Sequence, residues 1–289
     1  VKNKVLCIAG PTASGKSAHA IALAKKHGGE IVNADSMQVY SDLQIVSARP
    51  SQAEMDGIPH HLFGHIDGCE RYSTGTWVRE IMPVIGAIRA RGNVPIVVGG
   101  TGLYFRALTI GLAAVPPPSA AALKEAQGLL DSGIKRLRDR AEALDPVASA
   151  RVLGDDPQRL LRIVSVAMGT DKPLSVWQEE THPLLARDEW TGTVLLPDRQ
   201  ALYDRINARF DTMMQDGGLE EIKVVAKRGL APDLPMMKAI GLPPLLAHLK
   251  GEISYEEALS LAKRDTRRFA KRQFTWFRGN SEGWSCAKI

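Results

Sequence analysis

The run Gly10-Pro11-Thr12-Ala13-Ser14-Gly15-Lys16-Ser17, entered from the apolar pentapeptide Val5-Leu6-Cys7-Ile8-Ala9, constrains this chain more than any other stretch. It fits G-x-x-x-x-G-K-[ST], a buried strand that turns through a glycine-bearing loop into a helix. Gly10 and Gly15 let the backbone curl until its N–H groups converge on phosphate oxygens, and the helix that follows adds the positive end of its dipole. Lys16 supplies a mobile point charge. Ser17 offers a hydroxyl to Mg²⁺, a cation that usually keeps several waters and leans on phosphate oxygens. All eight residues are candidate diphosphate ligands, with Ser17 the candidate metal ligand. The loop by itself leaves open whether the diphosphate belongs to a nucleotide or to another pyrophosphate ester.

A strand that feeds a helix calls for a parallel sheet, and the chain supplies further strands for one. Glu30 to Ala34, Val94 to Val98 and Thr193 to Pro197 read as short buried strands, with helices predicted over Ser17 to His27, Thr76 to Arg91 and Arg199 to Gln215. Val115-Pro116-Pro117-Pro118 interrupts the pattern, because three prolines continue neither a helix nor a central strand. From Ser119 to about Arg187 the periodicity is helical, in segments Lys124 to Leu130, Lys135 to Leu144, Val147 to Leu153 and Pro157 to Met168. The expected fold is therefore α/β, a P-loop NTPase-like parallel sheet flanked by helices with an inserted all-helical domain. Its divisions are a core over residues 1–114, an insertion over 115–190, and a returning core over 191–289 that ends in a basic helix.

With 44% hydrophobic and 24% charged residues the 289-residue chain has the balance of a soluble globular protein. No apolar run approaches the length of a signal or membrane segment, and the three cysteines Cys7, Cys69 and Cys286 form no C-x-x-C pair. A cytoplasmic protein is expected, with neither a disulfide framework nor a cysteine zinc site.

Other residues converge on the carboxyl ends of the predicted strands, where open α/β sheets bind ligands. Asp35 closes the second strand; a carboxylate there can ligate Mg²⁺ through water, orient a ribose, accept a proton from a nucleophile, or simply cap the next turn. The third strand ends in Gly99-Gly100-Thr101-Gly102 where a P-loop ATPase would commonly place an acidic residue. Those glycines permit a close backbone approach to a ligand. Paired His60 and His61 lack partners at metal-ligand spacing, which favours a loop of hydrogen-bonded imidazoles. Arg205 and Arg209 stand at i, i+4, and either can reach the phosphates. A capping box at Ser254 and Glu257 opens the final helix. There Lys263, Arg264, Arg267, Arg268, Lys271 and Arg272 fall on one half, with Ala258, Leu259, Ala262, Phe269, Ala270, Trp276 and Phe277 on the other. Net charge is +5, concentrated in that helix, so a polyanion is the expected partner.

Assembled in order, these segments resemble the tRNA dimethylallyltransferase (tRNA isopentenyltransferase) family. The resemblance rests on the phosphate loop, Asn33-Ala34-Asp35-Ser36-Met37-Gln38-Val39-Tyr40, Pro59-His60-His61-Leu62, Val98-Gly99-Gly100-Thr101-Gly102-Leu103-Tyr104, Asp156-Pro157-Gln158-Arg159, Lys238-Ala239-Ile240-Gly241 and Arg267-Arg268-Phe269-Ala270-Lys271-Arg272-Gln273. It implies transfer of a dimethylallyl group from its diphosphate to N6 of the adenine 3′ of the anticodon in tRNAs that read codons beginning with U. Asp35 would be the general base and Thr101 would position the adenine, while Lys16, Arg209 and Ser17 with Mg²⁺ would stabilise the departing diphosphate. Contacts to tRNA would come from Asp35, Ser36, Met37, Gln38, Thr101, Lys124, Gln158, Arg159, Leu160, Leu161, Arg162, Lys238, Arg264, Arg268, Lys271 and Arg272. The implied partners are dimethylallyl diphosphate and the anticodon stem-loop of tRNA, bound by a monomer that needs no membrane. Two other readings use the same loop: an adenylate isopentenyltransferase and a nucleotide kinase. Two departures stand out. Ser47-Ala48-Arg49-Pro50 replaces the family's usual Gly-Thr-Ala-Lys-Pro run, and Leu242 stands where tyrosine is common. The sequence shows no C-terminal zinc finger, which points to a bacterial-type enzyme.

Overall fold

A computed structural model describes residues 4–287, so residues 1–3 and 288–289 of the expected core lie outside the described residues. In chain order, β1 (Val5–Ala9), α1 (Lys16–His27), β2 (Gly29–Asn33), α2 (Gln52–Met55), β3 (His60–His61), α3 (Thr74–Ala90), β4 (Val94–Gly99) and α4 (Gly102–Thr109) come first. Five helices follow, α5 (Ala120–Asp131), α6 (Ile134–Leu144), α7 (Pro146–Ala150), α8 (Pro157–Gly169) and α9 (Leu174–Glu179). The chain then returns through β5 (Trp190–Leu195), α10 (Arg199–Gln215), α11 (Gly218–Lys227), α12 (Leu242–Leu249), α13 (Tyr255–Asn280) and β6 (Ser285–Ala287).

All six strands run parallel in the order β3-β2-β4-β1-β5-β6. From β1 the chain first crosses to one side of the sheet and later, through β5, to the other. The loop after β1 thus sits where the strand order reverses, the place at which such sheets leave a crevice. α1 meets the sheet through Ala20 and Ala24, whose small side chains let it close onto Ile8, Ile31, Ile96 and Val98. Each such buried isoleucine or valine stabilises the fold by about 1.5–3 kcal/mol relative to exposure. Gly15, the residue before α1, has φ +81°, a left-handed conformation that favours glycine.

Two compact units emerge, one of Val1–Thr109 with Leu185–Ile289 and one of Ile110–Leu184. The insertion therefore begins at the end of α4, before the proline run, and ends before Trp190, which already belongs to β5. The expected boundaries at 115 and 190 are five and six residues late. Prolines marked irregular chain; the connection to the core comes earlier, at Leu108, whose carbonyl accepts the Leu185 N–H at 3.0 Å. Within the insertion, α5, α6 and α8 enclose Ala126, Leu137, Ala141, Leu160, Ile163 and Val164.

His60 and His61 form an edge strand paired to Ile31 and Val32, where a loop was expected. Their imidazoles are hydrogen-bonded, His60 Nδ1 to the Ile58 carbonyl at 2.8 Å and His61 Nε2 to Glu30 Oε2 at 2.6 Å. Arg91 and Asn93 also converge on the buried Glu30 carboxylate, at 2.7 to 2.9 Å, and these bonds hold its pKa down at about 2. Leu242 is fully buried in the cluster of Phe210, Ile222, Leu245 and Ala258, so an aliphatic side chain fills that position. Arg49 folds back, donating to the carbonyls of Leu43 and Ser41 at 3.3 and 3.2 Å.

Candidate active site

Local chemistry builds the turn that presents Asp35. Asn33 is buried at the end of β2, where its Oδ1 accepts the Asp35 N–H at 2.8 Å and its Nδ2 donates to the carbonyls of Asp35 and Leu62 at 3.0 and 2.9 Å. Trp77 of α3 locks the same residue by donating Nε1–H to the Asn33 carbonyl at 2.8 Å, with its ring stacked 4.2 Å from Tyr104. Asp35 Oδ1 accepts the Met37 N–H at 3.0 Å, which leaves Oδ2 for another partner.

One cavity opens on the loop after β1 and another on this turn. The first, of about 330 Å³, is lined by Ala13 through Ala18 with Arg205 and Arg209, and so opens on the loop expected to hold a diphosphate. The other, of about 230 Å³, has Asp35, Ser36, Thr12, Arg209, Lys238 and Arg272 among its polar lining and Val46, Ile206, Phe210, Met213 and Phe269 among its apolar lining. Arg209 borders both. Its Nη2 donates to the Thr12 hydroxyl, and burial lowers its pKa while Asp35 opposes that fall. Burial likewise pushes the Lys16 ammonium down to about 8, against the field of Asp35 and with that of Arg209. Two desolvated cations and one carboxylate thus share a small space, an arrangement that strengthens each field. Spacing alone did not separate Arg205 from Arg209, while the family resemblance implied Arg209; the structure sets Arg209 on the lining of both cavities and Arg205 on that of the loop cavity alone.

Several expectations need correction. Glycines 99, 100 and 102 make room for the protein itself: added Cβ atoms would lie 2.0 Å from the Ala34 carbonyl oxygen, 2.3 Å from Gln273 Nε2 and 2.3 Å from the Trp276 ring. Gln38 donates its amide to the carbonyls of Ser47 and Ala48 at 3.1 and 2.8 Å, so only its Oε1 stays available to a nucleic acid. Thr101 Oγ1 accepts the Ser36 N–H at 3.0 Å, which ties it through Ser36 to the cavity that Asp35 lines. Leu160 is fully buried in the insertion's core and Leu161 packs against it, so the Leu160 side chain meets no ligand. Lys124, Gln158, Arg159 and Arg162 are exposed, with Asp156 capping α8 by accepting the N–H groups of Gln158 and Arg159, each at 3.1 Å.

The basic helix also differs from its sequence reading. Lys263 turns toward α10 and pairs with Asp211 at 2.5 Å, and Arg267 donates to Asn207 at 2.7 Å. Arg264 and Arg268 share Asp265, at 3.1 and 3.6 Å. Of the six cations on one face, Arg267, Lys271 and Arg272 make no ion pair among the described residues, and Arg267 is held by the neutral Asn207. Asp265 lies in the same helix as the arginines it pairs, whereas Asp211 and Asn207 of α10 are brought alongside only by the tertiary packing. Gln273, which the sequence reading assigned to no role, is the residue of α13 that reaches the phosphate loop: its Oε1 accepts the Thr12 N–H at 2.9 Å.

A phosphate loop at the switch point of a parallel sheet, opening toward an arginine and a carboxylate, is the architecture of a P-loop group-transfer enzyme. The family model described as IPP transferase matches residues 38–280, and the one described as isopentenyl transferase matches residues 3–62. This chain belongs to the tRNA dimethylallyltransferase family. It is 55% identical to the tRNA dimethylallyltransferase of Maricaulis maris (strain MCS10), over 97% of this chain and 91% of the relative, and 50% identical to that of Caulobacter sp. (strain K31) over the same shares. Among solved structures, a tRNA isopentenylpyrophosphate transferase from Bacillus halodurans superposes with a TM-score of 0.69 at 34% identity, covering 99% of this chain and 90% of that one. A eukaryotic dimethylallyltransferase captured acting on tRNA superposes with a TM-score of 0.85 at 29% identity, covering 99% of this chain and 74% of that one.

Proposed function

We propose that this enzyme transfers the dimethylallyl group of dimethylallyl diphosphate to N6 of the adenine 3′-adjacent to the anticodon in tRNAs that read codons beginning with U. The observation that carries the reading is Arg209, which lines the phosphate pocket on one side and the Asp35 cavity on the other. A leaving diphosphate and an attacking amine then face each other across one cation. In the reaction N6 forms a bond to the allylic C1 as the C1–O bond to diphosphate breaks. Asp35 accepts the N6 proton, and Lys16, Arg209 and the loop amides take up the charge that develops on the leaving oxygens. The apolar walls, Ile206, Phe210, Met213 and Phe269, suit both the adenine ring and the allylic chain, and they keep water from the electrophilic carbon.

Magnesium fits the residues present. Ser17 is exposed in the first turn of α1 on the phosphate pocket, while the described residues hold no cluster of three or more His, Cys, Asp or Glu side chains. A cation there would take one protein hydroxyl, diphosphate oxygens and water, and would supply charge neutralisation to the leaving group. For tRNA, Lys238, Lys271 and Arg272 stand on the core, and exposed Lys124, Arg159 and Arg162 on the insertion add contacts to the anticodon stem-loop. No helix among the described residues is long and apolar enough to cross a membrane. A cytoplasmic monomer acting on free tRNA is in keeping with this reading.

The test is incubation of the purified protein with dimethylallyl diphosphate and, in parallel, unmodified tRNA or AMP, followed by mass spectrometry. N6-dimethylallyl adenosine in tRNA and none from AMP is the expected result. Turnover on AMP would favour the adenylate enzyme, and label transfer from γ-labelled ATP would favour a kinase.

A further inference from the structure

Gln273 lies on the inner face of α13 and is 6% exposed. Its two amide atoms have different partners. Oε1 accepts the backbone N–H of Thr12, in the phosphate loop, at 2.9 Å, and Nε2 donates to the backbone carbonyl of Gly100, at the end of β4, at 2.8 Å. Because one partner is an N–H and the other a C=O, only one orientation of the amide satisfies both. The partners are 261 and 173 residues away in sequence, and each begins a path into one half of the reaction site. Thr12 carries the hydroxyl that Arg209 holds. Gly100 precedes Thr101, whose N–H donates to the Ala34 carbonyl at 3.1 Å and whose Oγ1 accepts the Ser36 N–H at 3.0 Å, beside Asp35.

The surroundings make this bridge rigid. A Cβ on Gly100 would lie 2.3 Å from Gln273 Nε2, so no other residue there leaves the amide its place. The helix that carries Gln273 is pinned on the same face by Ala270, fully buried against Leu202 and Ile206, and by Phe277. Unpaired, Thr12 N–H and Gly100 C=O would each be a backbone polar group with one partner fewer beside the site.

We propose that Gln273 is a positioning residue that fixes the phosphate loop and the Ser36–Thr101 segment in register, so that the diphosphate held by the first faces the proton acceptor carried beside the second. The inference rests on the transfer reaction proposed above and adds to it the element that aligns donor with acceptor. No covalent step passes through Gln273. Its contribution is geometric, and a misplacement of about 1 Å between reacting groups costs about 10²-fold in rate.

The experiment compares Gln273→Met and Gln273→Glu with wild type. Single-turnover rates are read at saturating dimethylallyl diphosphate and tRNA from pH 5.5 to 8.5, with inorganic pyrophosphate affinity by calorimetry and tRNA affinity by filter binding. Gln273→Met keeps length and removes both hydrogen bonds. Its rate should fall about 10–10²-fold and its pyrophosphate affinity several-fold, with tRNA affinity within about twofold of wild type. Gln273→Glu keeps the acceptor for Thr12 N–H but sets a carboxylate against the Gly100 carbonyl at high pH. Burial raises the pKa of such an acid. As the pH falls it protonates, its O–H donates to Gly100, and the variant becomes a near copy of glutamine. The ratio of wild-type to Glu-variant rate should therefore approach the Met-variant defect at pH 8.5 and shrink toward one at pH 5.5. Taking the ratio divides out the ionisations that wild type and variant share, that of Lys16 among them.

A merely structural glutamine would lower the melting temperature and leave that ratio flat with pH, and this result overturns the proposal. So do rates and pyrophosphate affinities within twofold of wild type for both variants. If the Met variant melts below the assay temperature, the Glu variant at low pH decides. If wild type itself leaves tRNA unmodified, the transfer reading fails, and the positioning role is judged on pyrophosphate affinity alone: equal values for wild type and Gln273→Met refute it.

Discussion

Replacing Asp35 by asparagine isolates the proton transfer from the fold. The Met37 N–H donates to Asp35 Oδ1, and Asn33 holds the Asp35 backbone through its N–H and its carbonyl. An asparagine retains Oδ1 and both backbone bonds, so the turn survives. It cannot accept the N6 proton. General-base assistance is worth about 10²- to 10⁴-fold, equivalent to about 2.7–5.4 kcal/mol at 1.36 kcal/mol per decade. Charge gives the expectation for binding: the Asp35 carboxylate raises the pKa of both Lys16 and Arg209, and without it Arg209 faces the pocket with no opposing charge. Loss of the carboxylate removes repulsion from the diphosphate but lowers the Lys16 pKa further, so the two effects oppose, affinity at pH 7 should hold, and the loss should appear in the rate. The assay is single-turnover modification of unmodified tRNA with both substrates saturating, alongside donor affinity by calorimetry. A rate within threefold of wild type would refute the assignment of Asp35 as base, and an equal loss in donor affinity would make it a binding residue.

Lys16→Ala should weaken the transition state by about 3 kcal/mol, seen as about a 10²-fold loss in kcat/KM for dimethylallyl diphosphate, and ATP should compete poorly with that donor in wild type. Since the Lys16 ammonium of the free enzyme loses its proton near pH 8, wild-type kcat/KM for the donor should decline as pH rises through that value, a decline that Lys16→Ala abolishes. Arg264 and Arg268 share Asp265, so changing both to Gln should make the log–log salt dependence of tRNA binding shallower by about one unit, and Lys271→Gln alone should do as much; unchanged slopes in filter binding would remove α13 from the tRNA surface. Glu30→Gln should lower the melting temperature at pH 7. Because the folded-state pKa of Glu30 is depressed to about 2, its stabilisation is complete above the ordinary glutamate pKa and is lost as pH falls toward 2; the gap between wild type and variant should narrow below about pH 4.5, and a gap constant with pH would contradict the ion cluster.

How much of this was legible in the sequence follows from the range of the interactions concerned. The phosphate loop, β1, α10 over Arg199–Gln215 and the cap at Ser254 are set by neighbours a few residues apart, and the spacing of glycines, apolar side chains and capping hydroxyls places them. Asp35 was placed at the right strand end for the same reason, though its role among four alternatives was not. β3, of two residues, and β6, of three, were beyond that reach, since so short a strand has no periodicity to read and exists only through its partner. The site's finer wiring belongs to the same class. The partners of Lys263 and Arg267 lie on α10, more than fifty residues away in sequence. Gln273 gains a role only when α13 lies against two loops that the chain made some two hundred residues earlier. The sequence by itself determined that a phosphate-loop motif would join β1 to α1 and which helix would be basic, because both are properties of a local stretch of backbone and charge. Tertiary structure decided which cations stay unpaired, which arginine stands between the cavities and what the glycines after β4 make room for, because each depends on which distant surfaces meet and exclude water.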